Sequence, residues 1–199
     1  MRQRGFSLIE LMVTLAIMVL LVLAAMPSLG TWLDNTRIRN EGDSIIAGLQ
    51  TARAEAVRRN MNVSFWLVQL TDPATLANDC TLSSTGTSGS WVVSVNSPDS
   101  HCADTPSTTA APMIVVGRPM GGDSAKVGVA AVQADLVTAA NYVTFNGFGR
   151  IANTDSIAQI SLTGAGGATY RNLRLVVSPT GSVRMCDPAV TSSSDPRKC

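Results

Sequence analysis

Charge is scarce in this 199-residue sequence: Asp, Glu, Lys and Arg make up 15% of it, against roughly 25% in an ordinary soluble domain. The 15 basic and 14 acidic side chains nearly cancel, so composition supplies no polybasic coat for nucleic acid. Aromatic residues are 5% of the chain, too few to suggest a row of stacking platforms for single strands. Histidine occurs once, at His101. It has no recognisable triad context, so nucleophilic catalysis finds little support. The carboxylates Asp72, Asp79, Asp99, Asp104 and Asp123 are scattered, mostly in loop-like stretches. No phosphate-cradling loop or dinucleotide fingerprint is present. The cysteines form no C-x-x-C pair, and His101 beside Cys102 reads as a solvated loop residue rather than a metal ligand. The expectation is a protein without enzymatic activity, cofactor or metal. Disorder is excluded as the main state, because 45% of residues are hydrophobic and the net charge is +1. The length suits one domain with an appendage.

Much of the hydrophobicity sits at the front. Of the 20 residues from Phe6 to Ala25, all but Ser7, Glu10 and Thr14 are apolar, and about 20 apolar residues make a helix long enough to cross a bilayer. A polytopic membrane protein needs several such runs, and the sequence has one. Arg2 and Arg4 precede it, which predicts a cytoplasmic N-terminus and an external remainder. A cleaved secretory signal begins similarly, but its apolar stretch is usually about 7–15 residues. A disposable signal also has no reason to keep Glu10, because a carboxylate at a membrane helix centre costs roughly 2.5–3.5 kcal/mol on insertion scales.

The stretch Gly5-Phe6-Ser7-Leu8-Ile9-Glu10 resembles the processing site of type IV pilin-like proteins. The resemblance implies cleavage between Gly5 and Phe6 by an inner-membrane prepilin peptidase and N-methylation of Phe6. It also implies a filament-core role for Glu10 and a helix kink at Pro27. A cationic amine on Phe6 of one subunit would pair with Glu10 of a neighbour, and in low dielectric that attraction is far stronger than in water. Such pairing sets the height at which subunits match, as a buried polar residue sets register in a coiled coil.

After Pro27 and Gly30 the pattern changes. Ile38, Gly42, Ile45, Leu49, Ala52 and Ala56 recur every three or four residues, which predicts one apolar face of an amphipathic helix over about 31–60. Arg37, Arg39, Asp43, Arg53, Arg58 and Arg59 fall largely on the other faces. A proline inside the helix removes a hydrogen bond and loosens it, yet a single helix from 6 to 60 is expected. Beyond residue 60 the signals are β. Candidate strands are 62–68, 91–96, 113–117, 126–132, 142–146, 148–152, 157–163, 171–178 and 182–186. Asn146-Gly147 and Pro179-Thr180-Gly181 mark turns. The stretches 71–90 and 97–112 are long for loops of a compact domain, which suggests functional or variable surface.

The segments Tyr142–Arg150 and Leu175–Cys186 resemble the paired hairpins of the GspH/FimT class of minor pilins and pseudopilins. The expected fold is α+β: a long N-terminal helix, half transmembrane and half amphipathic, packed on an antiparallel β-sheet or β-sandwich. The expected layout is a leader at 1–5, a membrane and filament-core helix at 6–30 and a periplasmic domain at 31–199, β-rich from 61. The implied partners are other minor pilins and the major pilin, the prepilin peptidase, an inner-membrane assembly platform and the membrane itself. The implied location is the bacterial inner membrane, then a pilus or pseudopilus.

Cys80, Cys102, Cys186 and Cys199 would lie in an oxidising compartment, where disulfides form. Four cysteines allow three pairings; joining sequence neighbours is the simplest. Three functions compete: a structural minor pilin, a type II secretion pseudopilin, and a DNA-binding minor pilin for DNA uptake. Some FimT-like pilins bind DNA through a C-terminal Gly-Arg-x-Arg motif. Here Gly181-Ser182-Val183-Arg184 lacks the first arginine and with it one phosphate contact. Arg150, Arg171, Arg174 and Arg184 are the remaining candidates for nucleic-acid contact, against the plainer reading of solvated strand arginines. Cleavage would remove Arg2 and Arg4 and leave acidic residues in the majority.

Overall fold

A computed structural model describes residues 7–83, 89–121, 126–164 and 170–199, without the side chains of 24–29. One helix, α1 (Leu8–Arg59), opens the chain. Its 52 residues span about 78 Å at 1.5 Å per residue. The helix continues through position 27, although the side chain of Pro27 lies outside the described residues, as do Gly5 and Phe6 entirely. From Leu8 to Leu23 the large apolar side chains are exposed. Among the described residues, no helix is long and apolar enough to cross a membrane. The expected span, 6–25, runs beyond the described side chains at both ends. The helix stops at Asn60, which adopts a left-handed conformation (φ 50°) while the Met61 amide bonds back to the Ala56 carbonyl at 3.2 Å. Asparagine tolerates this conformation better than most residues.

Among the described residues nine strands follow: β1 (Val63–Gln69), β2 (Thr81–Leu82), β3 (Trp91–Ser94), β4 (Ile114–Arg118), β5 (Val127–Val132), β6 (Tyr142–Phe145), β7 (Gln159–Gly164), β8 (Leu173–Val177) and β9 (Val183–Cys186). They build two antiparallel sheets. In the first, β1 pairs with β3, which pairs with β4; along its other edge β1 meets β6 and then β2. The second runs β5-β7-β8-β9. α1 packs against strands of both sheets. Its predicted stripe is the buried one: Ile38, Ile45, Leu49, Ala52 and Ala56 are each fully buried. Phe65, Leu67, Trp91, Val143 and Phe145 meet it from the first sheet, and Ile160, Leu162 and Leu175 from the second. Two helix glycines permit this double contact. A Cβ on Gly42 would stand 2.9 Å from Leu162 of the second sheet, and one on Gly48 2.7 Å from Phe65 of the first.

Two expectations need correction. The segment 148–152 is not a strand. Asn146 accepts from the Gly149 amide at 2.8 Å and Gly149 takes a positive φ of 70°, so the residues turn, and only Ile151 bridges back to Phe145. The stretch 71–90 contains a short strand, β2, too brief to show an alternating pattern. The Ser178–Ser182 turn joins β8 to β9, with Gly181 at φ 80°. Gly181→Ala is expected to destabilise the domain by more than the roughly 1–2 kcal/mol of placing an L-residue there, because the new methyl would also collide with the Gly149 carbonyl. A urea-unfolding midpoint equal to wild type would refute this.

Candidate functional site

The expected site residues do not gather at one place. Glu10 stands exposed in the first turn of α1, where a carboxylate is favoured by the unpaired amides of a helix N-terminus. About 27 Å of helix separates the two ends of the domain-packed half, near Asn35 and near Arg53. The four candidate arginines are distributed along that length. Arg171 lies at the Asn35 end: its amide donates to Asn35 Oδ1 at 2.8 Å, and its Nε reaches Asp187 at 2.7 Å. Arg174 and Arg184 project from the outer face of the second sheet. The Nε of Arg174 is buried without a hydrogen-bond partner among the described residues, and Arg184 donates to the Lys198 carbonyl at 3.1 Å. Arg150 is exposed in the turn at the opposite end.

At that opposite end the two expected hairpins meet. The Ile151 amide donates to the Pro179 carbonyl at 3.3 Å. Arg53 of α1 lies between the turns: its Nε donates to the Gly149 carbonyl at 2.9 Å and its Nη2 to the Thr180 carbonyl at 3.5 Å. The sequence pattern put Arg53 on a solvent face. Its role depends on pairing across 96 and 127 residues, which helix periodicity cannot report. Phe148, at the tip of the first turn, is 84% exposed.

The cysteines pair Cys80 with Cys102 and Cys186 with Cys199. The first bond pins the long stretches around it to each other and covers a small second core of Val68, Leu70, Val92 and Ile114. Asn78 adds a clasp, donating to Asp104 at 2.8 Å and accepting from the Ala103 amide at 2.7 Å. His101 is exposed and contacts Asp104 at 2.9 Å. The second bond draws the C-terminal tail along β9, where Asp187 bridges Lys198. Among the described residues no group of three or more His, Cys, Asp or Glu is placed to hold a metal.

Glu41 escaped the sequence reading. It sits on the buried face of α1 between Ile38 and Ile45, and its Oε1 is buried without a hydrogen-bond partner among the described residues. Burial pushes its carboxyl up to about 7, against the pull of Arg118. A raised value in the folded state means that folding favours the protonated form. The contribution of Glu41 to stability is therefore fully present below about 4.5, falls as pH rises toward about 7, and is lost above. The loss amounts to roughly 3 kcal/mol at 1.36 kcal/mol per unit. Glu41→Gln should abolish this pH dependence and be the more stable form at pH 8. Unfolding midpoints at pH 5 and pH 8 that shift equally in both proteins would refute it.

A single N-terminal helix, exposed and apolar for its first half and packed on antiparallel sheets for its second, defines a type IV pilin-like protein. Comparison gives the family: the profile of the type II transport protein GspH family matches residues 41–181, more than half of the chain, and the chain belongs to that family. The prokaryotic N-terminal methylation motif matches residues 1–26. Comparison with curated proteins gives no match. Among solved structures, the type IV minor pilin FimU of Pseudomonas aeruginosa (strain PAO1) is similar in fold, with a TM-score of 0.51 and 15% identity over 82% of this chain and 98% of that one. A second crystal form of FimU gives a TM-score of 0.47 at 15% identity, covering 78% and 98%.

Proposed function

We propose that this chain is a minor type IV pilin, a non-enzymatic subunit that joins or primes a pilus filament or its tip complex after cleavage between Gly5 and Phe6 and methylation of Phe6. One observation carries the reading: the same unbroken helix exposes Leu8 to Leu23 and buries Ile38 to Ala56. An exposed apolar rod of that length needs a bilayer or the rods of other subunits around it. Residues 6–30 serve first as an inner-membrane anchor and then as the filament core, with the domain in the periplasm and Glu10 setting the register. Pro27 loosens the helix between the two environments. The disulfide-pinned surface of 71–90 and 97–112 contacts other minor pilins, while the peptidase and assembly platform act on the N-terminal segment.

The type II secretion pseudopilin is the second reading, supported by the family to which the chain belongs. DNA uptake has less support, because Arg171 and Arg184 are engaged within the protein and Arg150 stands at the far end from Arg171. Mass spectrometry of protein from its native host should show a mature chain that begins at methylated Phe6; a start at Ala25 or Met26 would sink the proposal. Glu10→Ala should still be processed but recovered in sheared filaments at a small fraction of the wild-type level. Normal recovery would refute the register argument.

A further inference from the structure

On the second sheet Val129, Ile160, Leu162 and Leu175 turn inward to the core, so their strand neighbours turn outward. The strand register sets these outward side chains in rows: Ala130, Ser161 and Arg174 in one, Gln159, Val176 and Arg184 in the next. None of the six is fully buried. Apart from the arginines and Gln159 they are short, which makes this face a low surface with cations on one side. Those cations are unmatched. Arg184 donates at 3.1 Å to a neutral acceptor, the Lys198 carbonyl, which leaves its charge in place. The Nε of Arg174 lacks a hydrogen-bond partner among the described residues. Arg171 and Arg197 have Asp187 and Asp195, but among the described residues no carboxylate pairs with Arg174, Arg184 or Lys198.

The opposite charge lies on the other sheet. Residues 60–117 contain four aspartates and no lysine or arginine, whereas residues 118–199 contain eight lysines and arginines against five aspartates. The fold gathers the acidic part. The stretches joined by Cys80–Cys102 cover the outer face of the first sheet, over Val68 and Val92. Asp79 and Asp99 flank that bond and are exposed. The Ser100 amide donates to the Cys80 carbonyl at 3.0 Å, which holds their two stretches side by side. Asp104 is fixed close by through Asn78 at 2.8 Å and His101 at 2.9 Å. Both charged surfaces look away from the core that the sheets share, so one chain cannot bring them together.

We propose that the outer face of the second sheet is a docking site for a second copy of this chain, which presents the acidic surface around Cys80–Cys102. Arg174, Arg184 and Lys198 of one copy meet Asp79, Asp99 and Asp104 of the next. Both halves of the match are in one sequence, which makes a second copy the partner. The inference rests on the reading of the chain as a filament subunit. A contact between unlike faces repeats from copy to copy, and it builds an open helical array unless its rotation closes a ring. Guanidinium groups suit carboxylates, which they bind through two parallel N–H groups. Exposed charge pairs give orientation more than affinity, so the contact is weak and sensitive to salt.

The test uses the full chain in detergent micelles, with its N-terminus read by mass spectrometry, and follows its mass by sedimentation at low and high ionic strength. Wild type should associate at low ionic strength and come apart as salt is added. Asp79→Asn with Asp99→Asn removes one face, and Arg184→Gln with Lys198→Gln the other, all at exposed positions. Each double variant should associate about tenfold more weakly, the worth of two exposed ion pairs. Mixed together, the two variants should form pairs and nothing larger, because one intact match remains. A carbodiimide, which joins a carboxylate to an adjacent amine, should link Asp79, Asp99 or Asp104 of isotope-labelled copies to Lys198 of unlabelled ones. A monomer at every ionic strength, on protein that begins at methylated Phe6, overturns the contact and leaves the filament reading standing. A mature chain that begins at Ala25 or Met26 overturns that reading itself. Association that neither salt nor the variants alter assigns the contact to the apolar half of α1 and overturns the proposal. So does binding of duplex DNA that Arg184→Gln with Lys198→Gln abolishes while association is unchanged.

Discussion

The structure depends on one helix that has to satisfy two surroundings without a break. For about 24 Å from Leu8 to Leu23 it offers apolar side chains on every face, and the domain covers none of them. From Ile38 to Ala56 the same helix offers one stripe, and both sheets close on it. The double contact explains why a helix interior contains Gly42 and Gly48 despite a cost of roughly 1 kcal/mol each relative to alanine. Each removes a methyl where a different sheet approaches. A wider side chain at either position would push one sheet away and open the core that the other still needs.

The sheets are then tied to the helix at its far end by polar contacts rather than by area. Arg53 reaches the carbonyls of two turns that belong to different hairpins, and Gly181 lies against the Gly149 carbonyl with no room for a side chain. Carbonyls in turns have no ladder partner and take their hydrogen bonds from elsewhere. One guanidinium with five donors satisfies two of them. This links the two segments that resemble the GspH/FimT hairpins into one corner of the fold, next to the exposed Phe148.

Much of this was legible in the sequence because it is periodic or local. The apolar run, the stripe from Ile38 to Ala56 and most strands follow from side-chain spacing, and the turn at Pro179–Gly181 follows from its residue types. The features that escaped are set by contacts between distant segments. Arg53 looks like any solvated arginine until the turns arrive. Residues 148–152 carry Phe148 and Ile151, residue types common in strands, but the turn hydrogen bonds of Asn146 and the positive φ of Gly149 claim them first. Glu41 interrupts the stripe, and periodicity alone reads it as one more polar residue on the helix.

Glu41 and Glu10 together show how one helix uses two carboxylates in opposite ways. Glu10 is exposed in the described chain, on a segment whose other side chains are almost all apolar, and no described part of the domain covers it. Glu41 lies inside the domain, where burial outweighs the attraction of Arg118 and raises its carboxyl to about 7. In the proposed filament, a charge at Glu10 would favour assembly at one height. A charge forced on Glu41 would oppose the packing of α1 on its sheets. In the proposed filament the scarce charge of this chain would thus follow the helix: a carboxylate is kept where subunits would meet, and burial opposes ionisation where the domain closes on itself.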